Sequence, residues 1–327
     1  MRALRFEAFG DPRQVLGLQE LPVPEPGPGE VLLRMALRPI NPSDLLQVRG
    51  VYGRRPDLPA TPGLEGLGTV ASLGRGVVGL RPGQRVVPLG AQGTWADFLV
   101  TPAENLVAIP DGLPDQAACQ VIVNPLTAWL MCVDELDLGP GDWLVQTAGG
   151  SAVGRCILQI ARLRGFNVLS LVRRRTPLAA ELEAEGVGPV LSTEDPDWGD
   201  RALDVLPRGG ATAAVDAVGG TVGGRVAMLL RRGGTMLVYG ALSLEPLQVP
   251  GGQMIFRTLT LRGFWLTDWK LRTPKAERDR VLAPLLAEMA AGRIGPPVEA
   301  VFPLDRFREA IERAESRGRG GKVLLSS

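Results

Sequence analysis

Histidine is absent from all 327 residues of this sequence. Its absence removes the side chain most often used for proton transfer near neutral pH and the commonest protein ligand of zinc. Tyrosine is also scarce, with only Tyr52 and Tyr239 in the chain. Because a phenol with a pKa of about 10 is protonated at neutral pH, these two side chains are the leading candidates for proton donation.

Net charge, cysteine and long apolar runs are scarce as well. The 36 basic and 35 acidic residues leave a formal net charge of +1, without the basic stripe that would predict a nucleic-acid partner. No apolar run reaches the roughly 20 residues that a bilayer requires, so no membrane partner is predicted. Cys119, Cys132 and Cys156 lie in apolar stretches without paired spacing, which predicts reduced thiols in the core. The first residues, MRALRFEAFG, resemble a strand and not a signal or transit segment, so we expect a cytoplasmic location.

Residues 142–175 carry the pattern of a strand, a glycine-rich turn, a helix and a second strand. Gly149, Gly150 and Gly154 would let the backbone of this turn approach a ligand closely. The helix that follows offers unpaired N–H groups, which favour an anion. Glycines after a strand often form only a turn, but the flanking strands and the helix together favour the pyrophosphate site of a dinucleotide cofactor.

The second strand of that segment ends in Arg173, Arg174 and Arg175. An NAD site usually carries an acidic residue there, which binds the ribose 2′-hydroxyl. Guanidinium groups suit a phosphate, so the cluster favours NADPH, whose ribose carries a 2′-phosphate. The alternative is a solvated basic turn, but the position at the strand end favours the cofactor.

Strand and helix patterns divide the chain into two expected domains. Residues 1–115 predict an all-β, barrel-like unit, because short β-forming segments are cut by proline and glycine: EVLLRMAL, LGTVASLG, QRVVPLG, TWADFLV and ENLVAIP. Residues 116–269 begin in a helix predicted near 114–136, then alternate between strands and helices, which predicts a doubly wound parallel sheet. Residues 270–327 contain two helix patterns and a last strand, which would return to the first unit. The expected fold class is therefore α/β with a second, β-rich domain and an active-site cleft between the two.

Several segments together resemble the medium-chain dehydrogenase/reductase family. They span nearly the whole chain: PGPGEVLLRM, NPSDLLQVRGVYG, PATPGLEGLGTV, VNPLTAW, GGSAVGRCILQIA, DAVGG, VYGAL and GFWLTDW. The resemblance implies a GroES-like catalytic domain, a Rossmann cofactor domain and a homodimer whose two cofactor sheets join edge to edge. Zinc-dependent members hold the metal with cysteine and histidine, whereas this chain lacks histidine and has no cysteine at those positions. It is therefore similar to the zinc-free quinone reductases and enoyl thioester reductases, and INPSD, SAVG, VNPLTAW and GFWLTDW favour the latter.

The same resemblance implies a set of site residues. Tyr52, in RGVYG, would be the catalytic proton donor, although quinone reductases share this tyrosine. The residues implied to bind the cofactor, counted together with the loop glycines, are Asn124, Gly149, Gly150, Ser151, Ala152, Val153, Gly154, Arg173, Arg174, Arg175, Tyr239, Gly240, Ala241, Leu242, Phe264, Trp265, Leu266 and Lys322. One departure concerns the loop, because Gly150 stands where enoyl reductases often have asparagine.

Several of these residues have an ordinary structural alternative. Tyr52 could be a packing or surface residue, and Tyr239, at the end of an apolar strand, is expected to line the cofactor rather than donate a proton. Asn124 could cap a helix, Trp265 could belong to the core, and Lys322 could be a solvated lysine.

The predicted reaction is the NADPH-dependent reduction of the carbon–carbon double bond of trans-2-enoyl thioesters of CoA or acyl-carrier protein. A hydride would reach the β-carbon, and Tyr52 would protonate the α-carbon. The alternative within the family is a zinc-independent NADPH:quinone oxidoreductase. The alternative from another class is a non-catalytic NADPH-binding protein. The expected partners are a small-molecule substrate and a second copy of the chain, and no metal is expected.

Overall fold

The computed structural model describes residues 1–175, 177–316 and 318–327. Its contacts divide the chain into two compact units: unit 1, Met1–Leu126 with Thr267–Ser327, and unit 2, Thr127–Leu266. The predicted boundaries were at 115/116 and 269/270. The boundaries in the structure lie in two continuous helices, Asn124–Trp129 and Leu266–Arg272, where no change of pattern marks them.

Strands dominate both ends of the chain, and strands alternate with helices in its middle. In chain order the strands are β1 (Arg2–Arg5), β2 (Gly17–Glu20), β3 (Glu30–Pro39), β4 (Leu67–Leu73), β5 (Arg85–Pro88), β6 (Phe98–Pro102), β7 (Leu106–Ala108), β8 (Trp143–Gln146), β9 (Asn167–Val172), β10 (Val190–Ser192), β11 (Ala211–Asp216), β12 (Leu230–Val238), β13 (Thr260–Gly263), β14 (Val298–Pro303) and β15 (Lys322–Ser326). The α-helices are α1 (Pro12–Val15), α2 (Pro42–Val48), α3 (Asp115–Ala118), α4 (Asn124–Trp129), α5 (Ala152–Arg164), α6 (Pro177–Glu183), α7 (Trp198–Val205), α8 (Gly220–Met228), α9 (Gly251–Arg257), α10 (Leu266–Arg272), α11 (Lys275–Ala290) and α12 (Phe307–Glu315). Short 3-10 turns cover Ala103–Asn105 and Leu304–Arg306, and a π-helical turn covers Leu130–Glu135.

Unit 1 is built mainly from antiparallel strands, as the proline- and glycine-cut segments predict. Its larger sheet has the order β14-β15-β3-β4-β5-β7, with β6 also paired to β3, while β1 and β2 form a separate pair. Phe6, Trp95 and Phe307 share one buried apolar cluster, although they lie far apart in the sequence. Burial of these side chains holds the carboxyl-terminal residues in the same unit as the amino-terminal strands.

The continuous helix predicted near 114–136 is wrong. The structure has α3, a run of turns, α4 and then the π-helical turn. Pro125 accounts for the break, because proline has no N–H and its ring would clash with the carbonyl of residue 121 in a continuing helix. Proline is tolerated in the first turn of a helix, and it lies in the first turn of α4.

Unit 2 contains a parallel sheet with helices between successive strands, which confirms the predicted doubly wound sheet. The strand order is β10-β9-β8-β11-β12-β13, and all neighbours are parallel. The chain runs outward from β8 to β10 and then returns to β11, which lies on the other side of β8. Ligands of such sheets bind beyond the carboxyl ends of the strands, at the point where the direction reverses. The fold therefore directs attention to the residues that follow β8, β9, β11 and β12.

Cys119, Cys132 and Cys156 are buried free thiols, which confirms the prediction for the cysteines. Burial raises the pKa of Cys119 and of Cys132 above the usual range, so neither forms a thiolate near neutral pH. Among the described residues, no helix combines the length and the apolar character needed to span a bilayer.

Candidate active site

Helix α5 begins just beyond strand β8, and Ser151 caps its first turn. The Ser151 hydroxyl accepts a hydrogen bond from the Gly154 N–H at 3.1 Å. Gly165 ends the helix in a left-handed conformation with a φ of 80°, so the helix runs for 13 residues. A helix of this length directs the positive end of its dipole and its unpaired N–H groups toward the loop before it. That end of α5 is therefore suited to an anion.

The loop glycines lie where a side chain would not fit. A Cβ atom at Gly149 would lie 2.9 Å from the Ser170 Cβ, and one at Gly154 would lie 2.4 Å from the Gly149 carbonyl oxygen. Ala148 adopts a left-handed conformation with a φ of 51°, which costs a residue with a Cβ roughly 1–2 kcal/mol. Close packing and local strain together hold the loop backbone at the end of β8, within reach of a phosphate.

The Tyr239 hydroxyl is a buried polar group with no hydrogen-bond partner among the described residues. Burial raises the pKa of this phenol above its usual range, and the nearby Ser151 opposes the rise, so the phenol stays protonated. A buried donor without an acceptor is unfavourable. Because it lies near the Ser151 cap, an oxygen-rich ligand at the start of α5 would satisfy it. The loop, the helix end and this phenol therefore fit a dinucleotide cofactor.

Hydrogen bonds of Thr147 and Asp216 join the carboxyl ends of β8 and β11, and neither residue was predicted to belong to the site. The Thr147 hydroxyl donates to Asp216 Oδ1 at 2.7 Å and accepts from the Ala217 N–H at 2.8 Å. Asp216 also accepts from the N–H groups of Val218 and Gly219, at 3.0 and 2.9 Å. These hydrogen bonds fix the sheet edge at the point where the strand order reverses.

Arg173, Arg174 and Arg175 extend from the carboxyl end of β9 and are exposed. Arg174 pairs with Glu194 at 2.9 Å, Arg173 lies 4.0 Å from the same carboxylate, and Arg175 pairs with Glu183 at 2.8 Å. Exposed ion pairs contribute little stability, so a phosphate could replace the carboxylates at small cost. The role of these arginines in 2′-phosphate binding stays a prediction.

The other predicted residues of unit 2 also follow strands. A Cβ at Gly240 would lie 2.9 Å from the Ala217 carbonyl oxygen, and the Phe264 N–H donates to Val238 at 2.9 Å. Trp265 is 42% exposed, so the alternative that it is a core residue is wrong. Gly150 precedes the Ser151 cap, Ala152 and Val153 form the first turn of α5, Ala241 and Leu242 lie in the loop after β12, and Leu266 begins α10. The structure thus brings the predicted unit 2 residues to one edge of the sheet, beyond the carboxyl ends of β8, β9, β12 and β13.

The remaining predicted residues, Tyr52, Asn124 and Lys322, lie in unit 1. Tyr52 is half-buried in the loop after α2. Asn124 and Lys322 converge on Asn41: the Lys322 ammonium donates to Asn41 Oδ1 at 2.5 Å and to the Ile40 carbonyl at 2.9 Å, and Asn124 Nδ2 donates to the same Oδ1 at 3.0 Å. Lys322 is only 6% exposed, so the alternative of a solvated lysine is wrong.

Two buried carboxylates beside this convergence were missed by the sequence analysis. Burial raises the pKa of Asp44 to about 7 and raises the pKa of Glu65, while it lowers the pKa of Lys322 and of Lys270 to about 8 each. The two acids and the two lysines balance one another in charge. The one available signal was compositional, because two of the chain's three lysines, in a chain otherwise rich in arginine, belong to this group.

The described residues contain no group of three or more cysteine, aspartate or glutamate side chains that could hold a metal ion. With no histidine in the sequence, the residues present do not fit a zinc site.

Comparison with known proteins identifies the family. The family model described as alcohol dehydrogenase GroES-like domain matches residues 27–111, and the family model described as zinc-binding dehydrogenase matches residues 152–282. A mitochondrial enoyl-acyl-carrier-protein reductase of Xenopus tropicalis is 35% identical over 334 aligned positions, which cover 99% of this chain and 95% of that protein. The chain belongs to the medium-chain dehydrogenase/reductase family. Its GroES-like and Rossmann-like parts are those that the resemblance implies.

Solved structures of the medium-chain dehydrogenase/reductase family have a fold similar to that of this chain over its whole length. The mitochondrial 2-enoyl thioester reductase Etr1p/Etr2p of Candida tropicalis has a TM-score of 0.87 and 28% identity over 100% of this chain and 99% of that one. Etr1p has also been solved with NADP and crotonyl-CoA. A mycobacterial quinone oxidoreductase has a TM-score of 0.88 and 26% identity over 100% of both chains, and a mycobacterial relative with NADPH bound has a TM-score of 0.89 and 27% identity over 100% of both.

These comparisons confirm the cofactor and correct one prediction. Because the chain belongs to this family and has the glycine loop before α5, it is an NADPH-dependent oxidoreductase. The expected cytoplasmic location was wrong, because the relatives in Xenopus tropicalis, Rattus norvegicus and Arabidopsis thaliana are named as mitochondrial proteins. The sequence MRALRFEAFG carried too little information to support that prediction.

Proposed function

We propose that this protein reduces the carbon–carbon double bond of trans-2-enoyl thioesters carried on CoA or acyl-carrier protein. The observation that carries the proposal is sequence similarity over nearly the full length of the chain: proteins named enoyl-acyl-carrier-protein reductase are 34% and 35% identical to it over 100% and 99% of its length. The family also contains quinone oxidoreductases with the same fold, so the fold alone does not choose the substrate. Sequence identity over almost the entire length of both proteins favours the enoyl thioester.

Unit 2 supplies the groups that would hold the cofactor. The N–H groups at the start of α5, the Ser151 hydroxyl and the protonated Tyr239 phenol would bind its pyrophosphate and ribose oxygens. Arg173 and Arg174 would exchange their contacts with Glu194 for the 2′-phosphate. When bound, NADPH supplies the hydride that reaches the β-carbon of the substrate.

Tyr52 is the proposed donor of the proton that the α-carbon gains. Hydride addition leaves negative charge on the thioester carbonyl oxygen, and a neutral hydroxyl can stabilise that charge and supply the proton. Because the chain has no histidine, its two tyrosines are the aromatic side chains that could donate a proton. The Tyr239 hydroxyl is fully buried and is assigned to the cofactor, whereas Tyr52 is half-buried in a loop. These differences favour Tyr52.

The deciding experiment measures NADPH consumption with crotonyl-, hexenoyl- and decenoyl-CoA and with benzoquinone and naphthoquinone under one set of conditions. We expect kcat/KM to be far higher for the thioesters. If the site buries the acyl chain, the free energy of binding should improve by about 0.8 kcal/mol per added methylene that is buried. Faster reduction of quinones, with no response to acyl length, would assign the protein to the quinone oxidoreductases. Tight NADPH binding without turnover on any acceptor would assign it a non-catalytic role.

A homodimer joined along β13 is the proposed assembly. Strand β13 is the last strand of the unit 2 sheet, and among the described residues it pairs only with β12. Nearby, α9 exposes Ile255 by 70% and Phe256 by 76%. An exposed strand edge beside apolar side chains can be covered by the same surface of a second copy. Light scattering should give twice the monomer mass, and Phe256→Arg should lower it; a monomeric wild type would overturn the assembly.

A further inference from the structure

The side-chain amide of Asn41 has one possible orientation, because one neighbour can only donate hydrogen bonds and the other accepts them. Lys322 carries only donors, and its ammonium lies 2.5 Å from Asn41 Oδ1. On the other side, Asn41 Nδ2 donates to Glu65 Oε1 at 2.7 Å. Rotating the amide by half a turn would place two donors together at Lys322 and two acceptors together at Glu65. Asn41 is 1% exposed, so water could not repair either contact.

Glu65 acts as an acceptor at both of its oxygens. While Oε1 accepts from Asn41, Oε2 accepts from the backbone N–H groups of Ile122 and Val123, at 3.1 and 2.8 Å. These donors leave no acceptor for a carboxyl proton, which favours the ionised form although burial opposes it. The same carboxylate thus orients Asn41 and holds the backbone that leads directly into Asn124.

The orientation of Asn41 determines that of Asn124. Asn41 Oδ1 offers an acceptor to Asn124, so the Asn124 amide must turn its Nδ2 toward it, and the two atoms lie 3.0 Å apart. The Asn124 Oδ1 then points away from Asn41 as an acceptor, and no donor among the described residues bonds to it. A ligand donor, and not a ligand acceptor, is what this oxygen can bind.

We propose that Lys322 and Glu65 are positioning residues that act through Asn41 to orient Asn124, whose Oδ1 accepts a hydrogen bond from an N–H or O–H group of bound NADPH. This inference rests on the proposed function and on the cofactor contact that the family resemblance implies for Asn124. It replaces the direct cofactor contact that family resemblance implies for Lys322, because the ammonium is buried on Asn41 and Ile40. Asp44 and Lys270 complete the buried charge balance around the pair.

The test is a double-mutant cycle on NADPH affinity, measured by fluorescence titration of the full-length protein. Asn124→Ala and Lys322→Met should each weaken binding about three- to tenfold, the loss of about one hydrogen bond. Their combination should bind no more weakly than Asn124→Ala alone, because Lys322 acts only through Asn124. Lys275→Met is the matched control, since Lys275 is exposed and pairs with Asp279 on the surface, and it should bind NADPH as wild type does.

Loss of folding is addressed by a charge-balanced variant. Lys322→Met leaves a buried carboxylate uncompensated and should lower Tm. The double variant Glu65→Gln with Lys322→Met removes one charge of each sign, so it should recover most of the lost Tm. The balanced variant should still bind NADPH weakly, because the new side-chain amide would keep its oxygen on the N–H groups of Ile122 and Val123 and present its NH2 group to Asn41, which favours the reversed orientation of Asn41. Wild-type affinity in that variant, or additive losses in the cycle, would overturn the proposal.

The class of ligand donor is resolved with the 3-acetylpyridine analogue of NADPH, in which a methyl group replaces the carboxamide nitrogen. If Asn124→Ala no longer weakens binding of the analogue, the donor is the carboxamide; if the loss persists, the donor is a ribose hydroxyl. An Asn124→Ala variant that binds both cofactors as wild type does contradicts the inference. Turnover on crotonyl-CoA is measured separately, so failure of the proposed substrate leaves the binding cycle interpretable.

Discussion

Replacing Gly154 by alanine should weaken NADPH binding and lower stability, although alanine favours helices. Relief of the glycine cost in α5 would by itself stabilise the protein by roughly 0.5–1 kcal/mol. The new Cβ, however, would lie 2.4 Å from the Gly149 oxygen, 2.8 Å from the Gly149 carbonyl carbon and 2.9 Å from the Ala148 oxygen. Those atoms are backbone, so no side-chain rotation can relieve the contact. Ordinary contacts begin near 3.4 Å, so the loop must withdraw by ~1 Å.

The steric effect should outweigh the gain in helix propensity. Overpacking costs typically 1–3 kcal/mol, which leaves a net destabilisation of about 0–2.5 kcal/mol. Because the loop N–H groups move by ~1 Å from their place at the phosphate, affinity should fall up to about 100-fold, as misplacement of this size can cost in catalysis. Calorimetry and NADPH titration measure the two effects. Gly139→Ala is the control, since no atom lies within 4 Å of its Cβ and its stability should change by less than about 0.5 kcal/mol. Wild-type NADPH affinity in Gly154→Ala would refute the reasoning.

Four further outcomes are expected. Arg174→Ala should weaken NADPH binding on the order of tenfold without affecting NADH, because a charge-assisted contact to the 2′-phosphate is lost; equal losses for both cofactors would contradict this role. Tyr52→Phe should keep NADPH affinity but lower kcat on crotonyl-CoA by about 100- to 10,000-fold, and near wild-type turnover would assign the proton to another group. Dialysis against EDTA should leave turnover unchanged, whereas a loss that added zinc restores would reveal a metal requirement. Since burial raises the folded-state pKa of Asp44 from 3.8 to about 7, its stabilising contribution should be lost as pH rises from about 4 to about 7. Urea unfolding of Asp44→Asn should show a flatter dependence in that window, and a slope equal to that of wild type would exclude Asp44 as the cause.

Local patterns allowed much of the fold to be predicted. The segment EVLLRMAL became β3 (Glu30–Pro39), and GKVLLSS became β15 (Lys322–Ser326), because a strand's character is carried by its own residues. The glycine loop was equally accessible, since its strand, turn and helix are contiguous. Strand β10 could not be located from its own residues, because Val190–Ser192 is too short a run to show a pattern.

The buried charge group of unit 1 could not be predicted in this way. Asn41 contacts Glu65, Asn124 and Lys322, which lie 24, 83 and 281 positions away in the sequence. Charged residues are normally placed at the surface when only the sequence is known, because burying an unpaired charge is costly. Only the fold of the barrel-like unit brings the partners together, so the pairing that makes burial tolerable is invisible to local pattern.

The scarcity of lysine in the chain suggests that the buried charge group requires lysine at its cationic positions, where arginine would not fit. Among 36 basic residues only three are lysine, yet Lys322 and Lys270 are both buried beside Asp44 and Glu65. A guanidinium is planar and carries five donors, whereas the confined Lys322 position offers two acceptors, Asn41 Oδ1 and the Ile40 carbonyl. Arginine would leave several donors buried without partners, so the compact ammonium is the cation that the site can satisfy. The same restriction makes Lys322 a point charge that orients one amide, which is the property that the proposed positioning of Asn124 requires.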